Sequence, residues 1–235
     1  MSKHLDLPED YEPIIYIVDD DESVCESISG LIDDMGFLSK PFFSAEDFIA
    51  QTENSICGCV LADLRMVGCN GIEMLKKMKT SGYEIPLIMV SAYADVTNTV
   101  SAMSAGALTV LEKPFSDQQL WDTTITGIIL DSERRIALRW LLDFQSKLNK
   151  LTNGEIEVMQ LLLKGKSNKS INHLLDVSAR TVVMRRKAIL EKFEVDNVID
   201  LVKMITKAQT VEQYLSTISQ STFAERLQSN ILPSE

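Results

Sequence analysis

The chain has 235 residues, 45% of them hydrophobic and 24% charged, which suits two soluble domains with buried cores. Its apolar runs are shorter than the ~20 residues that a helix needs to cross a bilayer, and its N-terminal residues contain no apolar secretory segment. Its four cysteines do not have the spacing that is usual for zinc binding or redox chemistry. We therefore expect a cytoplasmic protein with reduced thiols. The net charge of −11 is uneven: residues 1–130 carry 7 Lys and Arg against 21 Asp and Glu, whereas residues 149–206 carry 10 against 7.

The first half of the chain alternates short apolar runs with segments of helical periodicity. The apolar runs, which predict strands, are Ile14–Val18, Phe37–Leu38, Cys59–Ala62, Pro86–Val90 and Ala107–Leu111. The helical segments lie near residues 23–35, 44–52, 71–81, 96–105 and 116–130. Strand–helix alternation predicts a parallel sheet with helices on both faces, and five such units fit the flavodoxin-like doubly wound α/β fold. Residues 1–130 are therefore predicted to form one domain.

A long helical region follows this domain. Residues 117–148 predict one long helix or two nearly continuous ones, with residues 131–150 as a helical linker. A heptad-like seam runs through it, at Leu130, Ala137, Leu141, Phe144, Leu148 and Leu151, with Arg134 in its one polar position. The seam fits either a helix that packs on its own domain or an interdomain helix that forms a coiled coil with its copy in a dimer.

The last part of the chain predicts short helices with tight turns. They are expected at residues 153–164, 168–175, 179–193 and 197–206. Short helices, a tight turn and a basic last helix are typical of an all-α helix-turn-helix domain, here over residues 151–206. Residues 207–235 form a polar C-terminal extension with no assigned role. Its apolar residues at rough helical spacing are Leu215, Ile218, Phe223 and Leu227.

Polar side chains follow four of the predicted strands. Asp19 and Asp20 follow the first strand, Asp63 the third, Ser91 the fourth and Lys113 the fifth. Because the carboxyl ends of parallel strands meet at one edge of a sheet, we expect these side chains to lie together. Clustered carboxylates repel one another unless a cation neutralises them, and a hard divalent ion, most simply Mg²⁺, fits that task. One carboxylate can then attack a phosphoryl donor, and a lysine and a hydroxyl can stabilise the aspartyl phosphate.

The segments IVDDDESV, VLADLRMVGCNG, MVSA and LEKPF resemble the motif blocks of receiver domains in two-component response regulators. The resemblance covers residues 12–130 and implies that a sensor histidine kinase phosphorylates Asp63. The Mg²⁺ ligands that it implies are Asp20, Asp63 and the backbone carbonyl of Arg65, with Asp19 as a further ligand through water. It also implies that Ser91 moves toward the phosphoryl group and that Lys113 pairs with it, Lys113 being joined to Pro114 by a cis bond.

Two positions depart from the receiver pattern. Val67 stands where the family usually has proline, and Val110 stands where it usually has an aromatic switch residue. Neither change removes a reacting group. We expect Val67 to alter the flexibility of the loop after Asp63, and Val110 to change how Ser91 couples to the output face.

The segment 151–206 resembles the LuxR-type domain of NarL/FixJ-type response regulators, through LT..E, G.SNK.I, L.VS.RTV and the trailing KF.V. The resemblance implies that helix 179–193 enters the major groove of double-stranded DNA and presents Val183, Met184 and Lys187 to the bases. Phosphate contacts are expected from Lys169, Arg180, Thr181 and Arg186. Arg185 replaces the usual histidine, and its charge fits either DNA-backbone binding or an imperfect packing role.

Together the resemblances predict a response regulator rather than an enzyme. Phosphorylation is expected to change the face built from helix 96–105 and strand 107–111 and thereby to favour a homodimer. The homodimer is expected to bind paired DNA half-sites and to act on RNA polymerase, and no membrane partner is expected. One alternative is a phosphorylation-independent DNA-binding regulator that uses its receiver for dimerisation. A remote alternative is a haloacid-dehalogenase-like phosphatase, suggested by Asp19-x-Asp21 after a strand, although the acidic pair which that family needs after Lys113 is missing from the sequence.

Overall fold

The computed structural model describes residues 7–92 and 95–218. The chain divides into two compact units, Met1–Arg134 and Arg135–Glu235, and each has its own apolar core. Within the described residues, no helix is long and apolar enough to cross a membrane.

The described residues of the first unit form a five-stranded parallel sheet in the order β2-β1-β3-β4-β5. Its strands are β1 (Ile14–Val18), β2 (Leu38–Phe42), β3 (Gly58–Asp63), β4 (Leu87–Ser91) and β5 (Thr109–Glu112). Its helices are α1 (Glu22–Asp34), α2 (Ala45–Gln51), α3 (Gly71–Thr80), α4 (Val96–Ala105) and the first part of α5 (Asp117–Asn149). This is the doubly wound α/β fold that the strand–helix alternation predicts.

The central strands of this sheet are buried on both faces. In β1, Tyr16 and Val18 pack into one apolar cluster, whereas Ile15 and Ile17 pack into the cluster on the opposite face. Strands β3 and β4 alternate in the same way. A strand that is apolar on both faces reads as a continuous apolar run, which is why the sequence reveals these strands clearly.

Strand β2 is the element that the sequence misplaces. The predicted strand at Phe37–Leu38 has the wrong bounds, because the strand begins at Leu38 and extends to Phe42. It lies at the edge of the sheet next to β1, and its first four residues are exposed or half-buried. An edge strand needs no continuous apolar run and tolerates a proline such as Pro41, so the usual pattern is absent.

Helix α5 occupies the long helical region without interruption. Its first part places Leu120 and Ile128 in a core cluster of the first unit, and its end places Leu141 and Phe144 in the core of the second. Leu151, which follows the helix, joins that second core. The seam residues Leu141, Phe144 and Leu151 are therefore packed in the core of the second unit, which favours the interpretation of a helix that packs on its own domain.

The second unit continues with helices α6 (Asn153–Leu163), α7 (Asn168–Leu175), α8 (Ala179–Phe193) and α9 (Val198–Ile218). Asp176, at a left-handed φ of 50°, ends α7 and makes the tight turn toward α8. Helix α9 corrects the prediction of 197–206, because residues 207–218 of the predicted extension continue it. Ala208, Val211 and Leu215 pack into the same core, so the apolar spacing of the extension reflects this helix. Phe223 and Leu227 lie outside the described residues.

A buried ionic cluster anchors α5 within the first unit. The Arg134 guanidinium pairs with Glu84 and donates to Asp131 Oδ1 at 3.3 Å. Asp131 is fully buried, and its Oδ2 accepts from the Tyr11 hydroxyl and from the Gly58 backbone N–H, both at 2.9 Å. The cluster therefore joins α5 to the start of β3 and to the segment that leads into β4.

Candidate functional site

The register of the sheet brings the predicted polar residues to one edge. Val18 of β1 pairs with Ala62 of β3, and Ser91 of β4 pairs with Glu112 of β5. The residues that end or follow these strands therefore lie at the carboxyl edge of the sheet. They are Asp19, Asp20, Asp63, Ser91 and Lys113.

Lys113 bridges two of the carboxylates. Its Nζ donates to Asp19 Oδ2 at 2.8 Å and to Asp63 Oδ1 at 2.9 Å. Burial by itself would lower the pKa of the Lys113 ammonium, but the hydrogen bonds and charges of Asp19 and Asp63 outweigh it and raise that pKa. Lys113 is therefore a charged ammonium at neutral pH, placed where it can stabilise negative charge on Asp63. The Lys113–Pro114 bond is cis, as the resemblance implies.

Each of the three carboxylates also accepts a hydrogen bond from a backbone N–H group. Asp63 Oδ2 accepts from the Arg65 N–H at 2.6 Å, and Asp19 Oδ1 accepts from the Asp21 N–H at 3.0 Å. Asp20 is exposed, and its Oδ2 accepts from the Val67 N–H at 2.9 Å. Each of the three carboxylates is thus oriented by donors from the chain itself.

The neighbours of these carboxylates have structural roles. Ser91 is buried, and its carbonyl accepts from the Lys113 N–H at 2.8 Å, which fixes the two residues against each other. A Cβ atom on Gly71 would lie 2.6 Å from the Asp63 carbonyl oxygen, so only glycine lets α3 begin this close to Asp63. Asp21 is the N-cap of α1, and hydrogen bonds from Ser23 lower the pKa of its carboxyl group.

The carboxylates match the oxygen ligands of Mg²⁺ in type but are not gathered around a common point. Among the residues that the structure describes, no three Asp, Glu, His or Cys side chains form a metal-binding group. The Lys113 ammonium binds Asp19 and Asp63, while Asp20 is bonded to Val67. The donor chemistry therefore fits a hard cation, and binding requires some of these hydrogen bonds to be shared or released.

Helix α8 exposes large apolar side chains beside basic ones. Val183 and Met184 are 54% and 63% exposed, and Lys187 lies on the same exposed surface. Val182, Ile189 and Phe193 are instead buried in the core of the second unit. Core packing therefore accounts for the latter three residues and leaves Val183 and Met184 available to a ligand.

The predicted phosphate contacts surround the start of α8. Lys169 and Arg180 are exposed, and Thr181 donates its backbone N–H to the N-cap Ser178 at 3.0 Å. The Arg186 guanidinium donates to Asn168 Oδ1 at 3.3 Å, so its position is fixed by the start of α7.

Arg185 packs against helix α6. Its guanidinium donates to the Gly154 carbonyl at 3.4 Å, and a Cβ atom on Gly154 would lie 2.4 Å from the guanidinium carbon. The residue that replaces the usual histidine is therefore half-buried and bonded to the first turn of α6. This contact favours the packing role over a role in DNA-backbone binding.

Sequence reasoning missed an ion pair beneath α8. Glu155 and Thr152 form a capping box at the start of α6, and Lys192 Nζ donates to Glu155 Oε2 at 2.6 Å. Lys192 also donates to the Lys150 carbonyl at 2.9 Å. The LT..E motif signals the capping box, but nothing in the sequence pairs Glu155 with a lysine 37 residues away.

We expect Glu155→Gln to destabilise the second unit by about 1.5–3 kcal/mol at pH 7, the usual range for a hydrogen bond to a charged group. Burial would raise the Glu155 pKa, but the hydrogen bonds from Lys192 and Thr152 outweigh it and lower the pKa below the ordinary 4.5. Because folding lowers the Glu155 pKa, the ionised carboxylate stabilises the folded state at pH values above its pKa in the unfolded chain. This stabilisation is lost as the pH falls through the pKa of the folded state. The difference in free energy of unfolding between the variant and wild type, measured by urea denaturation, should therefore be smaller at pH 3.5 than at pH 7.

Glu157→Gln is the matched control for this experiment, because Glu157 is an exposed residue on the same helix. It should change the free energy of unfolding by less than about 0.5 kcal/mol. An equal loss for Glu155→Gln at both pH values would contradict the assigned ion pair.

Two known protein families match separate segments of the chain. Residues 15–124 match the response regulator receiver domain, and residues 149–205 match the luxR family of bacterial regulatory proteins.

Relatives in both sequence and structure span most of the chain. Response regulator protein TmoT of Ectopseudomonas mendocina is 33% identical over 83% of this chain and 89% of its own length. Transcriptional regulatory protein FixJ of Bradyrhizobium diazoefficiens is 33% identical over 83% of this chain and 95% of its own length. The solved structure of response regulator StyR is 34% identical, covers 84% of this chain and 100% of its own, and superposes with a TM-score of 0.78. The chain therefore belongs to the response regulators that combine a receiver domain with a LuxR-type DNA-binding domain.

Proposed function

We propose that Asp63 accepts a phosphoryl group from a sensor histidine kinase and that this event controls transcription through the second unit. The observation that carries the proposal is the bridge from Lys113 to both Asp63 and Asp19 at the carboxyl edge of the sheet. It places an ammonium beside the carboxylate that would become an aspartyl phosphate. Membership in the response regulator family supports the same reading.

In the proposed step, an oxygen of the Asp63 carboxylate attacks the phosphorus of a phosphohistidine. A P–O bond forms and the P–N bond breaks, and the imidazole leaves as the neutral base because its other ring nitrogen already carries a proton. Lys113 neutralises part of the developing charge, and Ser91 donates its hydroxyl to the product. The residues that would hold Mg²⁺ are Asp19, Asp20, Asp63 and, through its carbonyl, Arg65, and a bound ion would supply further charge neutralisation.

Phosphorylation is further proposed to favour a homodimer through the face built from α4 and β5. Helix α4 exposes Val96, Val100 and Met103 at spacings of four and three residues, which places them on one side of the helix. Exposed apolar residues grouped in this way are typical of a surface that a partner covers. The dimer would present two α8 helices to paired DNA half-sites. RNA polymerase is a further proposed partner of this dimer.

The phosphorylation step is tested by the intact mass of the protein after incubation with acetyl phosphate and Mg²⁺. One added phosphoryl group is expected, and EDTA should prevent it. No added mass in a folded protein, with the histidine kinase also supplied, would instead favour a regulator that works without phosphorylation.

In the DNA-binding unit, we expect Lys187→Ala to weaken specific binding by about 1–3 kcal/mol and to relax base preference at one position. Arg180→Ala should weaken binding to all sequences alike and reduce the salt slope by about one, because a phosphate contact carries no base information. Both changes are measured by titrating a selected operator and a scrambled duplex at several salt concentrations.

Lys203→Ala is the control for these two variants, since Lys203 lies on α9 and pairs with Asp200. Its affinity should match that of wild type. An Arg180→Ala variant that loses discrimination between the two duplexes would contradict the assignment of Arg180 to phosphate.

A further inference from the structure

The loop after β3 is joined to Asp20 through the backbone of Val67. The Val67 N–H donates to Asp20 Oδ2 at 2.9 Å. The Val67 side chain is 84% exposed, so this residue contributes to the site through its N–H group rather than through packing. A hydrogen bond from an N–H to a carboxylate is charge-assisted and stronger than one between neutral groups.

This hydrogen bond opposes the use of Asp20 as a metal ligand. The N–H carries a partial positive charge and occupies one lone pair of an oxygen that a cation also requires. Asp19 and Asp63 are bonded to the Lys113 ammonium, whereas Asp20 is bonded to a different segment, the loop at Val67. In the described part of the chain, accordingly, these carboxylates do not form a gathered metal-binding group.

We propose that the Val67 N–H restrains Asp20 and thereby lowers the affinity of the receiver site for Mg²⁺. This inference rests on the proposed function, because it presupposes that Asp20 binds the ion. Proline, the usual residue at this position in receiver domains, has no N–H and cannot make the hydrogen bond. Val67 therefore raises the Mg²⁺ concentration at which the chain becomes competent for phosphorylation.

The test is the dissociation constant of Mg²⁺ alone, measured by isothermal titration calorimetry on the full chain and two variants. Val67→Pro removes the N–H, and it should bind Mg²⁺ about fivefold more tightly than wild type, a modest effect for one exposed charge-assisted hydrogen bond. Val67→Ala keeps the N–H and removes only an exposed side chain, so its dissociation constant should equal that of wild type. Urea denaturation checks that each variant is folded.

Three outcomes would overturn the inference. The first is a Val67→Pro protein that binds Mg²⁺ no more tightly than Val67→Ala. The second is a Val67 amide proton in the wild-type chain whose NMR shift stays that of a hydrogen-bonded group through Mg²⁺ saturation; this measurement decides the matter even if Val67→Pro does not fold. The third is a complete lack of Mg²⁺ binding by all three proteins, which would remove the proposed metal site as well. In the first two outcomes Mg²⁺ still binds, so they would overturn the inference about Val67 and leave the proposed metal site in place.

Discussion

Asp63→Asn is expected to abolish phosphorylation by acetyl phosphate or by a histidine kinase, with no added phosphoryl mass detectable. The amide has nearly the shape of the carboxylate but lacks its charge, so it is a poor nucleophile toward phosphorus. It also removes the ion pair between Asp63 and Lys113. Any change of oligomeric state or DNA affinity that phosphorylating conditions produce in wild type should therefore be absent, as measured by light scattering and operator binding.

Asp21→Asn is the control that separates the reacting carboxylate from its acidic neighbours. Asp21 caps α1, and asparagine is an equally good N-cap residue, so the helix should be preserved. This variant should be phosphorylated like wild type. Loss of phosphorylation in Asp21→Asn, or its persistence in Asp63→Asn, would contradict the assignment of Asp63.

Asp131→Ala is expected to destabilise the first unit by about 3–5 kcal/mol. Asp131 is fully buried and accepts hydrogen bonds from Tyr11, Gly58 and Arg134. Its removal leaves the Arg134 charge buried without the Asp131 carboxylate, and leaves the buried Gly58 N–H without the same acceptor. Urea denaturation followed by circular dichroism measures the effect.

Glu133→Ala provides the matched control, because Glu133 is exposed two residues further along the same helix. Its removal should change the free energy of unfolding by no more than about 0.5 kcal/mol. If Asp131→Ala were as mild as Glu133→Ala, the buried cluster would not anchor α5 as described.

The sequence was most informative where one physical rule acts along a continuous segment. Strands buried on both faces appear as apolar runs, and in a parallel sheet the residues that follow them must meet at one edge. This rule predicts that Asp19, Asp63 and Lys113 lie together, and the hydrogen bonds from Lys113 show their proximity. The exposed Val183 and Met184 likewise follow from helical spacing around a buried stripe.

The features that sequence reasoning missed depend on contacts between residues that are distant in the chain. Glu84 pairs with Arg134 across 50 residues and Glu155 pairs with Lys192 across 37, and no local pattern joins either pair. Strand β2 is an edge strand, so its burial pattern carries little information. The consequence of Val67 is equally long-range, because its N–H reaches Asp20 at a sequence separation of 47.

The central claim is tested most directly by locating the phosphoryl group on the wild-type chain. The protein is phosphorylated with acetyl phosphate and Mg²⁺, and borohydride then reduces the acyl phosphate to homoserine, which marks the modified residue for peptide mass spectrometry. The account predicts homoserine at position 63, dependent on phosphorylation and absent when EDTA is present. Homoserine at Asp19, Asp20 or Asp21 instead, or at no position in a protein that has gained phosphoryl mass, would contradict it.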